Sequence, residues 1–118
     1  MASFDLRERT KAFALRIIRL VESLPRTWTG SVVGKQLLRS GTSVGANYRA
    51  ACRAKSNADF VNKMAIVLEE ADESAYWLDL IVDAKLVSAK RLANLQHEAE
   101  ELVAIIVTSL NTAKRRVR

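Results

Sequence analysis

Apolar positions along the 118-residue chain recur three and four residues apart, and almost nowhere in strict alternation, so the chain reads as helix rather than strand. A first helix is predicted over about 5–24, where Phe13, Ile17, Leu20 and Leu24 share one face and Ala14, Ile18 and Val21 widen it. Pro25 removes a backbone donor and disfavours helical geometry at Leu24, so residues 25–30 read as a loop and Ser31 as the N-cap of the next helix. That second helix is predicted over about 31–55, with Val33, Leu37, Val44, Tyr48 and Cys52 on one side.

A third helix, over about 57–85, carries Phe60, Met64, Val67, Ala71, Ser74, Leu78 and Ile81 at alternating spacings of four and three, the seam of a coiled-coil-like bundle. Either Ser56 or Asn57 can cap it, and Asp59 suits the positive end of its dipole. Ser88 caps a fourth helix, over about 88–114, in which Leu92, Leu95, Ala99, Leu102, Ile106, Ser109 and Ala113 repeat the pattern. The tail from Lys114 to Arg118 is expected to fray. Short connections force sequential helices to run antiparallel, so the fold predicted is a single all-α domain, an antiparallel up-down-up-down four-helix bundle.

The middle of the second helix, Ser40 to Asn47, is weak by intrinsic propensity, since each glycine costs roughly 1 kcal/mol relative to alanine. Gly41 and Gly45, four apart, leave a groove where another backbone can approach, and they are read as a tight helix-crossing point. The alternative, a phosphate-binding loop, matches neither the dinucleotide fingerprint nor the phosphate-loop pattern.

Composition narrows the class. With 49% hydrophobic residues, 4 Gly and 1 Pro, the chain can bury a core. No stretch reaches the roughly 18 apolar residues of a membrane span, and the first nine residues lack the apolar core of a signal peptide, so a cytoplasmic protein with no membrane partner is expected. The lone Cys52 excludes an internal disulfide and reads as a small, semi-buried side chain.

The net charge of +6 favours acidic partners, yet its distribution is uneven. Residues 1–55 hold 11 basic and 3 acidic side chains, residues 56–113 hold 4 basic and 10 acidic, and the last five residues add 4 basic groups. A basic half and an acidic half attract each other within the bundle or between subunits. Arg39 and Glu73 are the candidate structural pair, either meeting near the core or remaining solvated at the surface.

Candidate chemistry is sparse. His97, the single histidine, reads as a surface residue and leaves no Ser-His-Asp or Cys-His set within one chain. Glu69, Asp72 and Glu73 form an acidic cluster without the Glu-x-x-His pairs of a di-iron bundle, so neither a metal nor another cofactor is expected, and enzymatic activity is not. Aromatic residues do not interleave with basic ones as a base-stacking platform requires. Trp28 and Trp77 read as packing residues, with an exposed Trp28 as the alternative anchor of a subunit interface. Nucleic acid, if bound, would be held through its phosphates, with Arg7, Arg9, Lys11, Arg16, Arg19, Arg26, Lys35, Arg49, Arg53, Lys55, Arg115 and Arg116 as the candidate contacts.

The run from Gly34 to Arg49, GKQLLRSGTSVGANYR, followed by ACRAKS over 51–56, closely resembles the 23S rRNA intervening-sequence protein family. The segment LEEADESAYWL over 68–78 matches the same family, and the likeness extends from Phe4 to about Leu110. The resemblance implies a four-helix bundle that assembles into a ring-like homopentamer. It is similar to the accessory protein of diversity-generating retroelements, whose basic surface is thought to engage nucleic acid and a reverse transcriptase. Two function classes follow: an oligomeric bundle that binds RNA or DNA through phosphates, and a protein-interaction scaffold with no nucleic-acid role. A carboxylate-bridged metalloenzyme is a third and more distant class.

Overall fold

The computed structural model describes residues 5–117, so Phe4 and Arg118 lie outside the described residues. Four helices, α1 (Leu6–Glu22), α2 (Trp28–Cys52), α3 (Asn57–Asp83) and α4 (Ala89–Val117), run up, down, up and down in a bundle measuring 48 × 26 × 20 Å. No strand occurs among the described residues. Successive helices pack closely along their lengths, whereas α1 and α4 meet only sparsely.

Each helix begins where a side chain can take up its orphan N–H groups. Asp5 accepts from Arg7 and Glu8, Ser56 from Asp59, and Ser88 from Arg91. The second helix departs from the sequence reading, because Thr27 rather than Ser31 is its N-cap and accepts the Gly30 N–H at 3.0 Å. The helix therefore starts at Trp28, and Gly30 lies in its first turn against the Pro25 carbonyl. A Cβ there would stand 2.1 Å from the Pro25 oxygen. The same helix stops at Cys52, and Cys52 is exposed rather than semi-buried. α4 continues through Lys114, Arg115 and Arg116 to Val117, where fraying was expected.

The end of α3 is a Schellman turn: the Leu86 N–H reaches the Ile81 carbonyl and the Lys85 N–H the Val82 carbonyl, with Lys85 itself left-handed at φ 61°. This reversal brings Val87 into the core and sets Ser88 at the start of α4.

The core runs the length of the bundle through Phe13, Ile17, Leu37, Val44, Met64, Val67, Leu78, Ile81, Leu102 and Ile106. Ile18, which widens the apolar stripe in the sequence, points outward and is 39% exposed. The weak middle of α2 stays helical because its polar side chains bond back to its own backbone: Thr42 to the Leu38 carbonyl, Ser43 to that of Arg39 and Asn47 to that of Ser43. Ser40 and Ser74, both buried, bond to each other across α2 and α3 at 3.1 Å.

Gly41 and Gly45 are where α1 crosses α2. A Cβ on Gly41 would lie 2.8 Å from both Cγ1 and Cγ2 of Ile17, and one on Gly45 3.2 Å from the Thr10 Oγ1. Gly34 differs, since its Cβ would first meet the flexible tip of Leu24 at 3.2 Å. Overpacking costs about 1–3 kcal/mol, against roughly 1 kcal/mol gained by replacing glycine in a helix. Gly41→Ala is therefore expected to destabilise the protein by up to about 2 kcal/mol in urea unfolding, while Gly34→Ala is expected to be neutral or stabilising by up to about 1 kcal/mol. Equal unfolding midpoints for the two variants would contradict this account of the crossing.

Candidate nucleic-acid interface

The close α1–α2 crossing sets the two basic helices side by side and turns their outer faces to solvent. Two shallow concavities lie along the junction. One, of about 570 Å³, is lined by Arg7, Lys11 and Arg49 with Asp5, Glu8 and Thr42. The other, of about 660 Å³, lies at the α1–α2 turn and carries Arg26 and Lys35 with Glu22, Trp28 and Leu38. Of the acidic groups at the first, Asp5 is already engaged as the α1 cap.

The antiparallel topology gathers more cations at one end of the bundle. The start of α1, the end of α2 and the end of α4 meet there, bringing Arg7, Arg49, Arg53, Lys55, Arg115 and Arg116 to the same end. A hydrogen bond of 2.8 Å from the Asn57 side chain to the Ala113 carbonyl ties α3 to α4 at this end. These six cations are exposed and form no ion pair among the described residues.

Two basic residues of the first two helices are paired with carboxylates of the last two. Arg9 of α1 holds Glu98 of α4 through two nitrogens, at 2.6 and 3.2 Å, and Glu101 at 2.8 Å. The Glu98 hydrogen bond is the main reason its guanidinium holds its proton even more tightly than usual. Arg9 thus belongs to the internal ties rather than to the basic face. Glu101 also meets His97, which is exposed, as the sequence suggested.

Arg39 bonds to Glu70 at 3.1 Å and to Glu73, joining α2 to α3. The pair does not sit near the core: the Arg39 side chain is 51% exposed and that of Glu73 33%. Arg39 lies on the outward side of α2, away from the buried stripe of Leu37, Ser40 and Gly41, so only its extended chain reaches the α3 carboxylates. The sequence reading missed the Trp77 indole, which donates to Glu73 at 3.0 Å. The four-residue spacing from Glu73 to Trp77 was the available signal.

Arg16 and Arg19 lie apart from the α1–α2 concavities, on the side of α1 that faces α4. Arg91, absent from the candidates read from sequence, stands beside them. Its signal was topological, because antiparallel first and last helices place the end of α1 next to the start of α4. Trp28 is 90% exposed, which removes a packing role within the chain and leaves the alternative of an interface anchor. Val32 and Leu38 are exposed near it on α2. Among the described residues, no group of three or more His, Cys, Asp or Glu side chains could hold a metal ion, and no helix is long and apolar enough to cross a membrane.

Fold and charge together define a small four-helix bundle with an uneven surface: α1 and α2 are basic, α3 is strongly acidic, and α4 is acidic in its middle and basic at both ends. The family profile described as 23S rRNA-intervening sequence protein matches residues 3–108, and the chain belongs to that family. No curated protein matches the chain significantly. Among solved structures, it is similar to a protein of unknown function from the S23 ribosomal protein family of Bacteroides thetaiotaomicron. The two are 35% identical with a TM-score of 0.83, over 89% of this chain and 97% of that one.

The Trp77 indole and then the Arg39 guanidinium hold the Glu73 carboxyl below the ordinary glutamate value of 4.5. A depressed folded value contributes stability above that ordinary value, and the contribution is lost as pH falls through the lowered one. Glu73→Gln is therefore expected to lower the melting temperature slightly at pH 7, by less than Gly41→Ala does, because both members of the pair are solvated. The difference from the wild type is expected to vanish at acid pH. A large loss at pH 7, or one that persists at acid pH, would contradict a solvated pair.

Proposed function

We propose that the protein is a non-catalytic, oligomeric four-helix bundle of the cytoplasm that binds structured RNA or DNA through phosphate contacts. The contacts come from the α1–α2 face and the bundle end where Arg7, Arg49, Arg53, Lys55, Arg115 and Arg116 gather. The observation that carries the reading is this group of exposed cations without ion pairs among the described residues, in contrast to Arg9 and Arg39, which are paired across helices. Arginine and lysine side chains of this kind recognise phosphate by charge and displace its counterions, which makes binding salt-dependent and insensitive to base sequence. The 48 Å length of the bundle suits a backbone running along the α1–α2 junction.

Self-association is part of the same proposal. Trp28 and Val32, one turn apart at the start of α2, are exposed apolar side chains of the kind that a subunit contact covers. The homopentameric ring implied by the family resemblance is the assembly proposed. The same two side chains favour a second reading, in which assembly with itself or with a protein partner is the whole role and nucleic acid plays none.

Binding of a fluorescent RNA hairpin, followed by anisotropy across about 50–300 mM salt, separates the two readings. The expected result is a steep loss of affinity with salt, and Arg7→Gln/Arg49→Gln is expected to weaken binding and reduce the salt slope by about 1.5–2. No binding at the lowest salt, with an oligomer seen by light scattering, would overturn the nucleic-acid reading and leave the scaffold.

A further inference from the structure

The sparse α1–α4 seam holds a second basic cluster, separate from the α1–α2 face. Arg16 and Arg19 of α1 and Arg91 of α4 line one concavity of about 230 Å³ whose remaining lining is Leu20, Leu92 and Leu95. None of the three arginines forms an ion pair among the described residues. Arg91 Nη2 donates to the Ser23 hydroxyl at 2.8 Å, which steadies the guanidinium without neutralising it. Among the described residues, no carboxylate lines the depression; Glu98 and Glu101 of α4 are held by Arg9, and Glu22 of α1 lines the α1–α2 concavity.

Guanidinium groups stay charged at any working pH, so three like charges line a largely apolar depression without an ion pair among the described residues. Their planar, forked donors match the oxygens of a phosphoryl group, and the apolar floor strengthens the attraction by displacing water. The volume falls below the roughly 300–1,000 Å³ of sites that enclose a whole small-molecule ligand, which limits the bound portion to one or two phosphoryl groups.

We propose that the α1–α4 concavity is an anion site for a phosphoryl dianion or diphosphate, held by Arg16, Arg19 and Arg91. The site stands independently of the α1–α2 reading. The same phosphoryl chemistry can come from the terminal phosphate of a nucleic-acid strand or from a free phosphorylated compound.

Calorimetric titration of the full chain with sodium pyrophosphate, at ionic strength held constant with chloride, tests the site. One saturable event per chain is expected, at least tenfold weaker in Arg91→Gln and in Arg16→Gln and unchanged in Lys114→Gln, an exposed lysine at the other end of α4. Circular dichroism melting confirms that each variant is folded. Absence of saturable binding, or equal affinity in a folded Arg91→Gln variant, overturns the proposal. Once pyrophosphate binds, 5′-phosphorylated and 5′-hydroxyl RNA of one sequence separate the sources. Tighter binding of the phosphorylated strand that depends on Arg91 assigns the site to strand ends, and equal binding assigns it to a free phosphorylated compound; both support the site. Loss of RNA binding with retention of pyrophosphate would overturn the α1–α2 reading alone.

Discussion

Ile17 of α1 packs over the bare backbone of Gly41 in α2, at a separation where a single added methyl would stand 2.8 Å from its γ-carbons. One turn further along α2, Gly45 admits Thr10 in the same way, and Thr10 in turn bonds to its own helix at the Leu6 carbonyl. The two helices so joined contain eight of the eleven basic side chains of residues 1–55. Their close approach is what places Arg7, Lys11 and Arg49 around one depression and Arg26 and Lys35 around another. A wider crossing would separate the charges and uncover Ile17 and Val44, which are now fully buried.

The acidic half answers the basic half at two places only among the described residues. Arg39 ties α2 to Glu70 and Glu73 of α3, and Arg9 ties α1 to Glu98 and Glu101 of α4. Neither tie is buried, so they orient helices more than they stabilise them, and burial of the apolar seam remains the main source of stability. The consequence for function is selective. Pairing between helices engages Arg9 and Arg39, while most other arginines and several lysines fall in three groups: the α1–α2 junction, the bundle end and the α1–α4 seam.

Helices, seam residues and connection lengths were legible in the sequence because their signals are local: a spacing of three and four, a proline, a serine ahead of an apolar run. The Gly41 and Gly45 crossing was legible for the same reason, as two absent side chains on one face. The start of α2 was misread because Thr27 and Ser31 are both competent caps, and only the return of the Pro25 carbonyl against Gly30 selects the first. The location of Arg39 and Glu73 at the surface depends on side-chain reach, which periodicity does not encode. Arg91 escaped notice because its neighbours, Arg16, Arg19 and Ser23, are about 70 residues away in sequence and come together only through the α1–α4 packing.

In the function proposed, the solvent-facing positive charge of the α1–α2 face and its bundle end is what meets nucleic acid. Backbone amide chemical shifts recorded by NMR during titration with a structured RNA at low salt address it most directly. The predicted result is a set of perturbations centred on Arg7, Lys11, Arg49 and Arg53, with little change at Glu69, Asp72 and Tyr76 on the outer face of α3. Perturbations centred on α3, or none anywhere at low salt, would contradict it.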